Sequence, residues 1–165
     1  MPSPDSDHAL SEGTVLNDRY RVNEVLGAGA FGITYRATDT SLNSTVVVKE
    51  LYPEEYRLAR KGASISVPPA KAGQHQNLVE RMLKQGRLLR TLEDPHLMSV
   101  YEAFKACGTA YLVVEHLEGK SLRERLDEEG TLLETEIWQL VEEVGKGLSA
   151  LHKEGTCLAI PQVRL

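Results

Sequence analysis

The stretch Gly27–Tyr35, with the sequence GAGAFGITY, places three glycines within six residues and then becomes β-branched and aromatic. Glycines at this spacing let a backbone approach a ligand closely, and a phosphate group is the usual ligand of such a loop. The flanking segments YRVNEVL and ITYRAT have the alternation and composition of strands, and TVVVKEL is a third apolar run. The sequence therefore predicts three consecutive antiparallel strands between Tyr20 and Leu51, with the glycines in the first hairpin.

Beyond the third strand, the patterns predict a long connection, a helix, two strands and two further helices. The connection covers residues 52–76, and the VPPAKAG stretch within it is expected to be irregular, because consecutive prolines remove donors and restrict their neighbours. The first helix begins at Asn77, which is a good N-cap, and Glu80 completes a capping-box-like signal. The inward stripe of this helix carries Leu78, Met82, Gln85, Leu89 and Leu92. Two strands, LMSVYEAF and TAYLVVEHL, follow it, so the order of elements indicates a mixed α+β fold.

A short charged helix is predicted over Ser121–Asp127 and a long helix over Thr131–His152. The long helix has one broad apolar face, made by Leu133, Ile137, Leu140, Val141, Val144, Leu148 and Leu151. An apolar face of this size that stays uncovered recruits a partner, self-associates or aggregates. We therefore expect a protein partner or self-association through this helix.

Composition and charge exclude several classes of function. The 165 residues carry a formal net charge of −5, which excludes a uniformly basic nucleic-acid binder. No apolar run approaches the roughly 20 residues of a transmembrane helix. Residues 1–15 are rich in Ser, Pro and Asp, and we expect them to form a disordered leader. Cys107, Cys157 and the five histidines lack metal-ligand spacing, so we expect no metal site, and reduced thiols in the cytoplasm.

Several kinds of structure contain a glycine-rich stretch of this type. A dinucleotide-binding loop is followed by a helix, and Glu50 stands where its ribose-binding acid would be expected. The residues after Gly32, however, begin another strand, so the required helix is not predicted here. A Walker-type loop is excluded, because Ile33 and Thr34, and not a lysine followed by serine or threonine, come directly after Gly32. A glycine hairpin over nucleotide phosphates, with a lysine on the third strand, matches Lys49 in VVVK. The alternative is a hairpin whose glycines serve turn geometry only, with Lys49 as a solvated charge.

The segments LGAGAFGITYRATD, VVVKELYPEEYRLAR, EDPHLMSVYEAF, TAYLVVEHLEGKSLRERL and LSALHKEG follow one another from about Tyr20 onward. In this order they resemble the protein kinase family, specifically the bacterial eukaryotic-like serine/threonine kinases. The resemblance implies a kinase-like N-lobe, with five antiparallel strands and one helix, followed by an incomplete helical C-lobe. It divides the chain into the leader (1–15), a nucleotide-binding N-lobe (16–117) and the first C-lobe helices (118–165).

The resemblance also implies ATP as the ligand. The glycine hairpin covers the phosphates, Lys49 contacts the α- and β-phosphates, and apolar residues of the strands flank the adenine. Val114 is the gatekeeper at the back of the pocket, and two hinge residues after it offer backbone groups to the adenine edge. The implied nucleotide-binding positions are Leu26, Gly27, Ala28, Gly29, Ala30, Phe31, Gly32, Thr34, Val47, Lys49, Val114, Glu115 and Leu117.

The chain departs from the pattern of the family at two places. Gln85 stands where the family has the helix glutamate that pairs with the strand lysine, and a neutral partner forms the weaker bond. The positions of the catalytic HRD motif hold Leu158, Ala159 and Ile160, and neither the metal-binding Asn nor a DFG motif follows. Mg²⁺, which the family uses, therefore has no protein ligands in this chain.

These departures lead to three expectations about function. The first is an ATP-binding serine/threonine kinase-like domain that is truncated or degenerate and inactive alone. The second is a non-catalytic, pseudokinase-like interaction module, which docks a partner through the apolar face of the long helix. The third is an enzyme whose competent site is completed by another chain.

Overall fold

A computed structural model describes residues 8–154, which form two compact units. The first unit comprises the described residues up to 91 together with residues 100–116, and the second comprises residues 92–99 and those from 117 onward. The sequence placed the lobe boundary after residue 117 and gave residues 92–99 to the first lobe. In the structure that stretch groups with the helices of the second unit.

The strands of the first unit are β1 (Val15–Leu16), β2 (Tyr20–Gly29), β3 (Gly32–Asp39), β4 (Ser44–Leu51), β5 (Ala59–Lys61), β6 (Ser64–Ser66), β7 (Val100–Ala106) and β8 (Thr109–Glu115). One antiparallel sheet has the strand order β1-β2-β3-β4-β8-β7, and β5 pairs with β6 in a separate hairpin. The predicted α+β class is confirmed, and the five predicted strands correspond to β2, β3, β4, β7 and β8. The sheet gains a sixth strand in β1, which is too short to show an alternating pattern.

The central strands β4 and β8 are buried on both faces, which explains their apolar composition. Six of the seven residues of β8 are buried, and the three valines 46–48 of β4 are buried in succession. One face of the sheet packs on a core cluster that includes Tyr35, Val48 and Tyr111. Helix α1 (Ala72–Leu89) packs on β7 and β8. A strand covered on both sides has a continuous apolar run instead of an alternating one.

Helix α1 begins at Ala72 and not at the predicted Asn77. Pro69–Lys71 forms a 3-10 turn that leads directly into the helix, because proline suits a first helical turn, where its missing N–H is not needed. The predicted cap is therefore wrong, since Asn77 lies inside the helix and Glu80 accepts a hydrogen bond from the Gln76 amide at 2.8 Å. The buried stripe of the helix consists of His75, Val79, Met82, Gly86 and Leu89.

The connection before α1 contains regular structure, and we call its residues 52–71 the connecting segment. It includes the 3-10 turn Glu54–Tyr56 and the β5–β6 hairpin, which the sequence did not predict. The VPPAKAG stretch, expected to be irregular, contains the 3-10 turn Pro69–Lys71, so that prediction is wrong. Its apolar residues Leu58 and Ile65 join the core cluster on one face of the sheet. They stand isolated in the sequence and meet other apolar residues only in the folded unit, which is why no local pattern reveals them.

The described part of the predicted leader, residues 8–15, also has a packed structure. Leu10 is buried in the same core cluster, and its N–H donates a hydrogen bond to the Tyr35 hydroxyl at 3.0 Å. Val15 pairs with Arg21 in the sheet. Residues 1–7 lie outside the described residues, so the expectation of disorder stays a prediction there.

Helix α1 approaches the sheet closely at Gly86. A Cβ atom at this position would lie 2.5 Å from Ala103 Cβ and 2.7 Å from Leu112 Cδ1, so this contact requires glycine. Gly73, near the start of the same helix, has nothing within 4 Å of its Cβ position. The two glycines of one helix therefore differ in whether packing demands them.

Gly86→Ala is expected to destabilise the first unit by about 1–3 kcal/mol, because the added methyl group overpacks the contact with Ala103. Gly73→Ala is the matched control and should stabilise the chain by up to about 1 kcal/mol, since alanine favours the helix and meets no neighbour. Urea unfolding followed by circular dichroism measures both changes. A Gly86→Ala variant as stable as the Gly73→Ala control would contradict the packing of α1.

The second unit contains helices α2 (Leu122–Glu129) and α3 (Glu134–Lys153). Ser121 caps α2, because its hydroxyl accepts a hydrogen bond from the Glu124 N–H at 3.2 Å while the Glu124 carboxylate accepts from the Ser121 N–H at 2.7 Å. Helix α3 begins at Glu134 and not at the predicted Thr131. Among residues 8–154, none of the helices combines the length and the apolar character that crossing a membrane requires.

The predicted apolar face of α3 is unevenly exposed. Its last member, Leu151, is buried, and Leu140, Val144 and Leu148 are half-buried. Towards the start of the helix the exposed fractions are large: Leu133 (69%), Ile137 (47%), Trp138 (66%) and Val141 (56%). These four residues are the exposed α3 patch, and they share one side of the helix because they are spaced at i, i+4, i+5 and i+8.

Candidate functional site

The glycine-rich stretch forms a tight hairpin between β2 and β3. Gly29 pairs with Gly32, so only Ala30 and Phe31 form the turn, and Phe31 is exposed. A second strand, not a helix, follows the glycines. A dinucleotide-binding loop needs a helix N-terminus at this place, so the structure excludes that alternative.

The three glycines of the hairpin are not equivalent. A Cβ atom on Gly32 would lie 2.1 Å from the Glu50 carbonyl oxygen, so backbone packing alone demands glycine there. Gly27 and Gly29 have nothing within 4 Å of their Cβ positions, and neither has the positive φ that favours glycine. Close backbone packing therefore explains Gly32 but not Gly27 or Gly29, which leave open space beside the hairpin where a ligand can approach the backbone.

Lys49 lies on the same face of the sheet as part of this hairpin. It pairs with Thr34 on β3 and with Leu112 on β8, and Thr34 in turn pairs with Gly27 on β2. Cross-strand partners point to the same face of a sheet. The structure thus brings Gly27, Thr34 and Lys49 into one row across three strands.

The Lys49 ammonium is half-buried, and burial holds its pKa below the usual lysine value. Within residues 8–154, no acceptor takes a hydrogen bond from its Nζ and no carboxylate lies at ion-pair distance. A desolvated cation without a counter-ion is costly in a folded protein. The row of Gly27, Thr34 and Lys49 therefore offers an anion both open space and an unpaired positive charge.

Apolar positions of the predicted site extend the same face. Val47, two residues before Lys49, pairs with Val114, and both side chains are buried. Leu26 is the extra residue of a β-bulge between Val25 and Gly27, and it is 47% exposed. Val47 and Val114 therefore place apolar surface next to the lysine.

The remaining predicted site residues lie at different places in the fold. Glu115 is half-buried at the end of β8, and Leu117 belongs to the second unit. Gln85 is half-buried on α1, next to Gly86, whereas Glu80 is exposed. The pairing of Gln85 with Lys49 stays a prediction. The positions aligned with the HRD motif, residues 158–160, lie outside the described residues.

A buried polar cluster on the opposite face of β4 was missed by sequence reasoning. Glu50 is buried and accepts hydrogen bonds from the hydroxyls of Tyr35 at 2.6 Å and Tyr111 at 2.7 Å. Arg60 Nη2 of the connecting segment donates to the same carboxylate at 2.7 Å. Burial, with Glu50 beside them, raises the pKa of both tyrosines far above the usual value. Glu50 is thus committed to internal partners and is no candidate for binding a ribose.

A comparison with known protein families identifies this arrangement. The family model described as the protein kinase domain matches residues 20–158. The chain belongs to the protein kinase family. Its kinase domain is 26% identical over 141 residues to the probable serine/threonine-protein kinase pknA2 of Bifidobacterium longum, covering 86% of this chain and 17% of that protein. It is 29% identical over 155 residues to the serine/threonine-protein kinase pkn2 of Myxococcus xanthus, covering 94% of this chain and 16% of that protein.

Solved structures show the same kinase fold. The structure described as the PpkA-294 apo form has a TM-score of 0.77 and 27% identity, and the match covers 89% of this chain and 53% of that chain. The PknI kinase domain of Mycobacterium tuberculosis has a TM-score of 0.66 over 89% of this chain and 52% of that chain. With 19% identity, the second likeness shows the fold alone. The chain thus spans about half the length of these solved chains.

Proposed function

We propose that the first unit of this kinase domain binds ATP, with the glycine hairpin over the phosphates and Lys49 against the α- and β-phosphates. The observation that carries the proposal is the half-buried Lys49 ammonium, which has no acceptor in the described chain and shares its face with the open space beside Gly27. A phosphate oxygen would provide the missing counter-charge through a charge-assisted hydrogen bond. ATP is the nucleotide that the protein kinase family uses.

The other predicted positions take supporting roles in this proposal. Leu26, Val47 and Val114 offer apolar surface to the adenine, and Thr34 lies between that surface and the hairpin. Ala28, Ala30 and Phe31 complete the backbone that covers the phosphates. The backbone groups of Glu115 and Leu117 would hold the adenine edge, and Gln85 would orient Lys49.

Transfer of the ATP γ-phosphate to protein serine or threonine is the reaction that the resemblance implies. We propose that this chain does not carry it out alone, because Leu158, Ala159 and Ile160 offer no carboxylate to accept the substrate proton. Mg²⁺ neutralises phosphate charge when it is bound in such sites. Within residues 8–154 no three His, Cys, Asp or Glu side chains converge.

Gly29→Val is expected to abolish nucleotide binding while the first unit stays folded. The valine side chain would enter the open space beside the hairpin, and valine suits a strand. Mg-ATP or ADP at about 100 times the dissociation constant should raise the melting temperature of the unchanged protein by roughly 5–10 °C. The variant should show no shift.

Ala28→Val is the matched control. Ala28 pairs with Ile33 and lies between Gly27 and Gly29, so its side chain points to the opposite face of the hairpin. This variant should keep most of the nucleotide-induced shift in melting temperature. The absence of any shift in the unchanged protein at millimolar nucleotide would overturn the proposed function. An unaltered shift in Gly29→Val would remove the hairpin from the site.

A second function is favoured by the exposed α3 patch. If the domain is a pseudokinase-like interaction module, these four apolar residues are the surface that docks a partner or a second copy. Val141→Asp should then convert an assembled species into a monomer in multi-angle light scattering, and Glu142→Gln on the same helix should not. A monodisperse monomer at high concentration would contradict self-association.

A cytoplasmic location and the absence of nucleic-acid binding belong to the same proposal. Cys107 carries a free thiol, which suits a reducing compartment. The net charge of −5 disfavours a polyanionic partner.

A further inference from the structure

The tip of the glycine hairpin is fastened to backbone outside the hairpin. The Phe31 carbonyl accepts a hydrogen bond from the Tyr52 N–H at 3.1 Å, and the Ala30 carbonyl accepts one from the Glu54 N–H at 3.1 Å. These are the two residues of the turn, so both carbonyls at the tip have partners in the connecting segment. The turn of the hairpin is therefore fixed to the connecting segment by two backbone hydrogen bonds.

The donors themselves are held firmly in place. Tyr52 and Tyr56 are buried, and the Tyr52 hydroxyl donates to the Leu58 carbonyl at 2.7 Å, which closes a loop over residues 52–58. The 3-10 turn Glu54–Tyr56 ends at Arg57, whose φ is 48° and whose N–H donates to the Glu54 carbonyl. Arg60, just beyond, is paired with buried Glu50. Each end of this short loop is thus tied to the core of the first unit.

We propose that residues 52–58 are a tether that holds the glycine hairpin in the position in which it covers the phosphates, with the Glu54 N–H as the positioning group at its tip. This inference rests on the proposed nucleotide site and adds a determinant of affinity that lies outside it. A hairpin held in its bound position loses less conformational freedom when the nucleotide binds, and affinity rises accordingly. The loss of one such bond should weaken nucleotide binding about 3- to 10-fold.

Glu54→Pro removes this donor with little other disturbance. Proline is tolerated in the first turn of a helix, where Glu54 begins the 3-10 turn. The residue before it, Pro53, is extended with φ −65° and ψ 115°, which is the conformation that a following proline requires. Glu54→Ala is the matched control, because it removes the same side chain and keeps the N–H.

Hydrogen exchange of the hairpin amides, residues 27–33, tests the tether without nucleotide. Glu54→Pro should speed their exchange about 10-fold relative to Glu54→Ala, while exchange in β8 stays the same in both. Titration with ADP, followed by intrinsic fluorescence or calorimetry, should then give a dissociation constant about 3- to 10-fold higher for Glu54→Pro. Equal exchange and equal affinity in the two variants would overturn the proposal.

The two measurements separate this proposal from the proposed function. If neither the unchanged protein nor Glu54→Ala binds ADP, nucleotide binding fails, and the exchange of residues 27–33 still decides whether the tether exists. If Glu54→Pro does not fold, Tyr52→Phe replaces it, because this variant keeps the buried ring and loses only the bond to the Leu58 carbonyl. Unchanged hairpin exchange in Tyr52→Phe would then count against the tether.

Discussion

Arg60→Met is expected to lower the free energy of unfolding of the first unit by about 3–5 kcal/mol, because it leaves a buried carboxylate without its charged partner. The Arg60 side chain is 6% exposed and that of Glu50 is fully buried, with 2.7 Å between Nη2 and Oε2. Methionine keeps most of the apolar stem of arginine, so the lost charge sets the effect more than the lost volume does. Urea unfolding followed by circular dichroism measures the change.

Two tyrosines limit the size of this effect. The Tyr35 and Tyr111 hydroxyls continue to donate to Glu50 in the variant, which favours a loss near the lower end of the range. Lys61→Met, at the exposed next residue of β5, is the matched control and should change stability by no more than about 0.5 kcal/mol. If the two variants are equally stable, the ion pair contributes nothing and the connecting segment is held by its apolar residues alone.

The sequence predicts those elements of the fold whose signals are local. Strands β2, β3 and β4 were identifiable because alternation and β-branched runs lie within a few consecutive residues. The pattern places the start of α1 too late, because a proline pair usually interrupts regular structure, whereas here it begins the 3-10 turn Pro69–Lys71. The β5–β6 hairpin has three residues per strand, which is too few for a periodic pattern to appear.

In the candidate site, too, features within a short stretch of sequence were predictable, whereas contacts between residues from different strands were not. The spacing of the glycines and the apolar setting of Lys49 identified both positions from the sequence. Which glycine packing requires, and whether Lys49 has a partner, depends on neighbours from other strands, and only the folded unit shows them. Glu50 stands next to Lys49 in the sequence but faces the other side of the sheet, where Arg60 reaches it from the connecting segment.

Lys49→Met is expected to remove the nucleotide-induced shift in melting temperature, roughly 5–10 °C in the unchanged protein at saturating ATP, and to make the protein without nucleotide more stable. Both results have one physical cause. The Lys49 ammonium is desolvated and unpaired in the described chain, so it opposes folding until an anion binds beside it. Methionine fills similar space without the charge. Thermal unfolding with and without Mg-ATP at pH 7 measures both effects.

The pH dependence distinguishes this cause from a general gain in packing. The pKa of Lys49 is lower in the folded protein than the ordinary lysine value of 10.5, so the unfolded chain binds more protons. Its destabilising effect is therefore complete below the folded pKa and disappears as the pH rises through 10.5. The stability advantage of Lys49→Met should be largest at pH 7 and should shrink towards pH 10.5, whereas Lys61→Met should match the unchanged protein throughout. An advantage that does not change with pH would show that packing, and not a buried unpaired charge, distinguishes this position.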